Sequence, residues 1–407
     1  MTSLYNLLKH EKIGTIMNNL ENTIMKINKY CLNKLGKKIG SGNFSEVYLV
    51  DKITMQHKNE KFNIDVVEKA LKKHFFKPGN FIYKKMHNNE LYIHAKNSFA
   101  TEIIILYFIS KYWLEGSNPH LPFMIGFCIK EKNVLSILLE KNGYDIQIKY
   151  DTSKYIRNII GINSNPDNRY SQLITLCDLI KYILCNYDDD KLTYIFPIDN
   201  TEPTYIPDLV DEICMFLIYN SYYFWNKMNL SLYDQHDKNI YLYNLKNGRC
   251  GNREISKLKH IYYQIDKDIF LKININHFIM KIGDVGHAIL NSQKNVHIIG
   301  HVENIDNVIT HTQIFRENNK FYMYYMLDIL QSFPMKIIKE TKFYKLFNKH
   351  SIYDKMFLNY NKLTSIGIDK TMYDKIPSEQ TFLTDAIFDD IKHNKSIDDD
   401  ENFTIFI

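Results

Sequence analysis

The stretch LYDQHDKNIYL, residues 232–242, follows a long apolar segment and places Asp234 five residues before Asn239. Asn239 opens the alternating run NIYLYN (239–244), which predicts a strand. A carboxylate that orients a hydroxyl nucleophile and an amide that holds a metal ion can share one loop at this spacing. The same residues are also typical of a polar turn. The loop alone leaves both interpretations open.

A second acidic position ends the next apolar strand, predicted over HFIMKIGD (277–284) after a loop-rich insertion. The strand places Asp284 at its carboxyl end, and Gly286 allows the chain to turn there. An Asp-x-Gly sequence is usually only a turn. An aspartate at the end of a strand can also bind Mg²⁺ that bridges two phosphates.

Upstream, KKIGSGNFSEVYLV (37–50) predicts two strands joined by a glycine turn. Gly40 and Gly42 allow the backbone to approach phosphates closely, and Val47 on the returning strand can cover a purine. A strand hairpin that binds no ligand is the simpler interpretation of this segment taken alone.

The segment NSFATEIIILYFISKYW (97–113) predicts a helix that Asn97 or Ser98 caps. Within it, Glu102 precedes three isoleucines. Glu102 is either the solvent-facing residue of this helix or an inward carboxylate that needs a cationic partner. Further along, DLVDEICMFLIYNSYYFWNKM (208–228) is apolar on nearly all sides and predicts a buried helix.

Composition sets limits on the class of protein. The chain has 407 residues, a formal net charge of +5 and 45% hydrophobic residues, which is typical of a folded globular protein of two lobes or domains. The small, evenly spread charge gives no indication of nucleic-acid binding, and no apolar run reaches the ~20 residues of a membrane span. The six cysteines lack zinc-ligand spacing, so we expect free thiols, no structural metal and a reducing, cytoplasmic setting.

In this order, the glycine hairpin, Glu helix, apolar strand pair, buried helix, Asp-x4-Asn loop and Asp-x-Gly motif resemble the eukaryotic-type protein kinase family over roughly residues 35–335. NLSLYDQHDKNIYL resembles the catalytic loop of that family, and MKIGDVGHA its D-F-G strand. The resemblance implies transfer of the ATP γ-phosphate to Ser or Thr of protein substrates, with Asp234 catalytic and Asn239 and Asp284 binding Mg²⁺. It implies a nucleotide site that comprises Ile39, Gly40, Ser41, Gly42, Asn43, Phe44, Ser45, Val47, Glu102, Glu140 and an anchoring lysine.

The anchoring lysine has three candidates. KALKKHF (69–75) resembles the family's V-A-x-K with Lys72 at the lysine position, which we favour because Ala70 suits the roof over the adenine. Lys69 leaves Glu68 where an apolar residue belongs, and Lys84 has the usual spacing before the helix. By its residues, 65–75 is compatible with either a helix or a strand.

The resemblance implies an α+β, bilobal fold with a β-rich N-lobe, one main helix in that lobe, and a mostly helical C-lobe. We expect a helical extension over 1–34, an N-lobe over 35–140, a C-lobe with insertions over 141–390, and a mobile acidic tail over 391–407. SILLEKNGYDIQ (136–147) resembles the hinge between lobes, with Leu139 as gatekeeper and Glu140 on the adenine edge.

Several positions depart from the family. Ser45 replaces the third loop glycine, Leu232-Tyr233 replaces His-Arg, His236 replaces a lysine, and Val285 replaces phenylalanine. Without that arginine, we expect no dependence on activation-loop phosphorylation. No A-P-E motif follows, so substrate preference does not carry over.

Two alternatives remain beside a protein kinase: a pseudokinase scaffold that binds nucleotide, and a small-molecule or lipid kinase of the same superfamily. The divergent core and the AT-rich style of composition resemble kinases of large DNA viruses such as iridoviruses and poxviruses, which would imply a host-cytoplasm or virion setting. The sequence leaves the oligomeric state open.

Overall fold

The computed structural model describes a large part of the chain. The described residues are 36–41, 45–57, 60–72, 82–87, 90–95, 98–130, 134–151, 168–198, 202–232, 235–275, 277–291, 296–299, 321–349 and 377–407. The helical extension predicted over 1–34 lies outside these ranges.

The described residues form helices, strands and several small sheets, so the predicted α+β class is confirmed. The helices are α1 (Ser98–Leu114), α2 (Leu176–Asn186), α3 (Ile206–Met228), α4 (Phe321–Gln331), α5 (Met335–Glu340), α6 (Lys342–Lys349) and α7 (Glu379–Leu383). The strands are β1 (Lys38–Ser41), β2 (Ser45–His57), β3 (Glu60–Leu71), β4 (Ile82–His87), β5 (Glu90–Ala95), β6 (Met124–Lys130), β7 (Val134–Glu140), β8 (Gln147–Asp151), β9 (Asn168–Gln172), β10 (Thr193–Tyr194), β11 (Thr204–Tyr205), β12 (Leu230–Ser231), β13 (Ile240–Asn244), β14 (Arg249–Cys250), β15 (Arg253–Glu254), β16 (His260–Asp266), β17 (Ile269–Asn274), β18 (Phe278–Ile282), β19 (Ile289–Asn291), β20 (Val296–Ile299), β21 (Lys392–His393) and β22 (Asn402–Ile405).

Two compact units divide the chain. The first contains the described parts of Met1–Lys141, Arg249–Arg253 and Asp284–Val308, and the second contains those of Asn142–Gly248, Glu254–Gly283 and Ile309–Ile407. The first boundary therefore falls within the segment predicted as a hinge, and Asp284 begins a segment of the first unit.

The first unit is built on a sheet of five strands in the order β1-β2-β3-β7-β6. Neighbouring strands are antiparallel, and Gly40 lies opposite Val47 in the hairpin that β1 and β2 form. The segment 65–75, left open between helix and strand, continues β3 to Leu71. Val66 and Val67 point to opposite faces of this strand and are both buried, so β3 is an interior strand.

Helix α1 confirms the helix predicted over 97–113, and it is followed in the chain by the β6–β7 pair. Between β3 and α1 the chain forms a second hairpin, β4 with β5, and β5 also pairs in parallel with β20. The two strands of this hairpin, Ile82–His87 and Glu90–Ala95, precede α1 in the chain.

The second unit is centred on α3, which begins with Pro207 in its first turn and ends at Asn229 in the left-handed conformation. Both residues are favoured at those positions. Leu209, Ile213 and Phe216 are among its many buried side chains, as the apolar sequence predicts. Helix α2 begins with a capping box between Thr175 and Asp178, whose side chains bond to each other's backbone N–H.

A four-stranded sheet in the order β21-β17-β16-β22 also belongs to the second unit. Its strands β16 and β17 correct the expectation of a loop-rich insertion before residue 277. The expectation of a mobile tail over 391–407 is also wrong for 402–405, because β22 pairs in parallel with β16. Phe403 and Ile405 alternate with polar neighbours and are buried, which the acidic composition of the tail conceals.

None of the described helices combines the length and the apolar character needed to cross a bilayer.

The docking of the tail makes a prediction about stability. Ile405 is fully buried, so replacing it with alanine should lower the free energy of unfolding by about 2–4 kcal/mol, measured by urea denaturation. The matched control is Ile397→Ala, since Ile397 lies in the same tail with 48% of its surface exposed. That variant should change the free energy by less than about 0.5 kcal/mol. Equal effects of the two variants would mean that the tail does not dock.

Candidate functional site

A buried ion pair joins strand β3 to helix α1 in the first unit. The Nζ atom of Lys69 lies 2.7 Å from both carboxylate oxygens of Glu102. The Glu102 side chain is only 5% exposed and that of Lys69 is 16% exposed, so water screens the pair weakly. Glu102 is therefore the inward carboxylate of the two alternatives that the sequence allows, and Lys69 is its cationic partner.

The structure assigns this pairing to Lys69 rather than to the favoured Lys72. Lys69 lies inside β3, between Val47 on one neighbouring strand and Ile137 on the other. Lys72 follows Leu71, the last residue of β3, so the backbone hydrogen bonds of the strand do not fix the direction of the Lys72 side chain. Lys84 lies on β4, and its side chain is outside the described residues. The preference for Lys72 as the partner of Glu102 is thus wrong.

Asp284 lies next to this pair. Its Oδ2 atom is 3.8 Å from Lys69 Nζ, and its side chain is 41% exposed. The backbone of Asp284 is left-handed (φ 40°), which is uncommon for a residue other than glycine, and its carboxylate accepts a 3.4 Å hydrogen bond from Gly286 N. The following 3₁₀ turn, Val285–His287, packs against α1. The backbone turn at Asp284 and the carboxylate of Asp284 are therefore both held in place beside Lys69.

The electrostatics of the three groups favour a further cation. Burial raises the pKa of Glu102 to about 7; Lys69 opposes that shift and Asp284 adds to it. Two carboxylates thus share one ammonium group, and the more exposed carboxylate, Asp284, is the one with room for another partner. Carboxylate oxygens are the ligands that Mg²⁺ prefers.

The glycine hairpin is described on both of its strands but not at its tip. Ile39, Gly40 and Ser41 lie on β1, and Ser45 and Val47 lie on β2. Gly42, Asn43 and Phe44 are outside the described residues. Glu140 ends β7 as a buried residue, and its N–H donates to Phe123 O.

In the second unit, the antiparallel pair β13 and β18 brings together two motifs far apart in sequence. Ile240 lies opposite Ile282, and the adjoining Gly283 N–H donates a 2.7 Å hydrogen bond to Asn239 O. A side chain at Gly283 would meet the ring of Tyr241, since a Cβ atom there would lie 1.9 Å from Tyr241 Cε2. The Asn239 position is thus fixed against the residue that precedes Asp284 in the chain. Asp234 lies outside the described residues.

Sequence reasoning missed two residues that hold this loop. Gln235 is buried and its amide donates to Gly283 O at 3.3 Å. Asp237 begins the short 3₁₀ helix Asp237–Asn239. Burial alone would raise the pKa of the Asp237 carboxyl, but the neighbouring His236 and Cys177 side chains oppose the effect of burial and hold this pKa below the usual value. The sequence gives no signal that Cys177, a buried cysteine on α2, lies beside this aspartate.

No family model matches the chain, and no curated protein matches it either. The interpretation of the site therefore depends on its geometry.

The residues present fit a magnesium ion only in partnership with phosphate. Among the described residues, no three His, Cys, Asp or Glu side chains gather closely enough to hold a metal by themselves. Mg²⁺ in nucleotide-dependent enzymes is usually held by one or two protein groups, with phosphate oxygens and water as the other ligands. Asp284 offers an oxygen donor of that kind in the first unit, and Asn239 offers one in the second.

The raised pKa of Glu102 makes a prediction about stability. Because its pKa in the folded chain, about 7, exceeds the ordinary value of 4.5, the folded state holds this proton more tightly and loses stability as pH rises between those values. Glu102→Gln removes the loss. The loss of a partner for Lys69 lowers the stability of the variant at every pH. The difference in unfolding free energy between variant and wild type should nevertheless shift in favour of the variant by on the order of 3 kcal/mol from pH 5 to pH 8, measured by denaturant unfolding at each pH.

The control for this series is Glu115→Gln, because Glu115 is exposed just after the end of α1. This substitution of an exposed carboxylate should not reproduce the shift of about 3 kcal/mol expected for Glu102→Gln. A pH-independent difference for Glu102→Gln would contradict the burial of its carboxyl group.

Proposed function

We propose that this chain is an ATP-dependent protein kinase that transfers the γ-phosphate of ATP to Ser or Thr hydroxyls of protein substrates. The observation that carries the proposal is the buried Lys69–Glu102 pair with Asp284 at 3.8 Å from the lysine. Phosphoryl transfer to proteins requires such an arrangement. In it, a lysine on the sheet that contains the glycine hairpin is paired with a helix glutamate and lies next to the aspartate of an Asp-x-Gly sequence.

Each group has a role in this proposal. Lys69 binds and orients the phosphates of ATP, and Glu102 holds Lys69 in place through both carboxylate oxygens. Asp284 and Asn239 would hold Mg²⁺, which neutralises charge on the phosphates when bound. The backbone of the β1–β2 hairpin covers the phosphates. Asp234 orients the substrate hydroxyl and accepts its proton as the oxygen attacks the γ-phosphorus.

The order of the elements supports the proposal. From β1 the chain runs through a glycine hairpin, the lysine strand β3, the glutamate helix α1, the strand pair β6 and β7, the buried helix α3, and the strands β13 and β18. This is the order in which the kinase resemblance requires them. We further propose that the two compact units correspond to the N-lobe and the C-lobe of a protein-kinase fold.

The first experiment tests transfer. The purified full chain is incubated with labelled Mg-ATP and a mixed protein substrate, and the labelled residue is identified by mass spectrometry. Asp234→Asn should reduce transfer by about 10²- to 10⁴-fold, because it removes the group that accepts the proton. It should leave nucleotide affinity nearly unchanged. The control is Asp268→Asn, an exposed aspartate in the second unit.

The outcomes separate the alternatives. Label on Ser or Thr that depends on Asp234 supports the proposal. Nucleotide binding without transfer would make the chain a pseudokinase scaffold, for which the sequence arguments are the arginine lost at Tyr233, the lysine lost at His236 and the abbreviated substrate platform. Label that appears only on small molecules or lipids would assign it to the other branches of the superfamily.

The second experiment tests which lysine anchors the phosphates. The double variant Lys69→Met/Glu102→Gln replaces the pair with neutral residues, so that no buried charge is left without a partner. It should lower kcat/KM for ATP by on the order of 10²-fold, because a charge contact with the transferring phosphate is lost. Lys72→Met should have little effect. The opposite ranking of the two variants would move the anchor to Lys72.

A further inference from the structure

A cavity of about 750 Å³ lies within the second unit, apart from the groups assigned to phosphoryl transfer. The first turns of α3, the end of β17 and the C-terminal 3₁₀ helix Ala386–Ile391 line it. Its walls combine apolar side chains, such as Met215 and Phe388, with carboxylates. The volume is far larger than a single ion needs and is in the range of small-molecule sites.

Three carboxylates project from one face of α3 into this cavity. Asp208, Asp211 and Glu212 are spaced i, i+3 and i+4, which places them side by side on the helix. Like charges at this spacing repel each other. A cluster of this kind is stable only where protons, hydrogen bonds or cations compensate its charge.

Asp211 and Lys342, two of the groups that line the cavity, already have partners. Asp211 accepts hydrogen bonds from the backbone N–H groups of Lys342 and Phe343, at 2.9 and 3.1 Å, and so caps the start of α6. The ammonium group of Lys342 is paired with Asp390 at 2.5 Å. The nearest lysine therefore divides its charge between the cluster and another carboxylate.

Glu212 is the member of the cluster that remains without a partner. It makes no hydrogen bond and no ion pair with any residue that the structure describes. Glu212 is half-buried, and it lines the cavity. Burial, and then the charges of Asp208 and Asp211, raise the pKa of Glu212 to about 8. A half-buried carboxyl group beside two other carboxylates favours a cation as its partner.

The shape of the site determines which cation fits. Within the described residues no cluster has the geometry of a metal site, and the apolar walls offer nothing to the water shell of a metal ion. An alkylammonium ion matches both features, because its charged head pairs with carboxylates and its methylene chain packs on apolar surface.

We propose that this cavity binds the primary ammonium group of an alkylamine, with Glu212 and Asp208 as its anionic partners. Two sources carry this group, a free polyamine and the side chain of a lysine in a polypeptide. Binding favours the ionised form of Glu212, so the carboxyl proton is released to solvent as the ammonium ion enters. Among the described residues, the other titratable groups that face Glu212 or line the cavity are Glu202, Tyr205, Asp211, Lys272, Lys342, His277, Asp390, Tyr194 and Tyr263.

Isothermal titration of the full chain at pH 7 tests the proposal, with spermidine and a lysine-containing tripeptide as separate ligands. The same tripeptide with an acetylated lysine is the ligand control. Glu212→Gln should weaken binding at least tenfold, because it removes the charge and keeps the shape, and Asp268→Asn should leave binding unchanged. Titration in two buffers of different ionisation enthalpy should report proton release in the wild type and none in Glu212→Gln.

The outcomes are distinct. Binding of spermidine alone assigns the site to a free polyamine, and binding of the lysine tripeptide assigns it to a polypeptide side chain. Equal affinity of the wild type and Glu212→Gln, or no binding of either ligand to the wild type at 10 mM concentration of ligand, would overturn the proposal. Because the substitution relieves repulsion, the variant should fold, and a thermal melt at pH 9 above that of the wild type checks this.

Discussion

The ion pair between Lys69 and Glu102 is the interaction on which the first unit depends. It is formed by residues 33 positions apart and joins an interior strand to the helix that follows the β4–β5 hairpin. A buried ion pair contributes little net stability, but removal of one partner leaves an uncompensated charge that costs about 3–5 kcal/mol. The pair therefore specifies where α1 lies on the sheet rather than how strongly it is held there. With Asp284 beside it, the same pair also produces an excess of negative charge.

In the second unit, the constraint is the register of β13 against β18. These strands are separated in sequence by two pairs of strands, β14 with β15 and β16 with β17, and the second pair is an antiparallel hairpin. Because the two ends of a hairpin lie close together, it can be inserted between two paired strands without a change in their register. The hydrogen bond from Gly283 to Asn239 is preserved in this way. The sheet that contains β22 is thus an addition to the second unit, and it contains no residue of the loop 232–242.

The sequence predicted an element correctly where a long periodic or apolar run is compatible with only one kind of secondary structure. The helices α1 and α3 and the strands β7 and β13 follow such runs, and Glu102 and Asp284 were recognised from their positions in them. The sequence did not identify which lysine pairs with Glu102. Lys69 and Lys72 are three positions apart, so a strand would direct them to opposite faces, and the face that meets α1 is a tertiary property. The tail was misjudged because its acidic residues outnumber the two apolar side chains that dock it.

Both strands that lead to the proposed phosphate and metal groups contain a buried charged residue at a position where an apolar one would pack more simply. Glu68 precedes Lys69 on β3 and is 2% exposed, and Lys281 on β18 is fully buried, with its ammonium group 3.5 Å from the centre of the Tyr243 ring. The charge on Lys281 is partly compensated by that aromatic face. Local sequence rules fail in natural proteins mainly at functional positions, where stability is exchanged for a specific arrangement. The glutamate that argued against Lys69 from sequence is, on this reasoning, an argument in its favour.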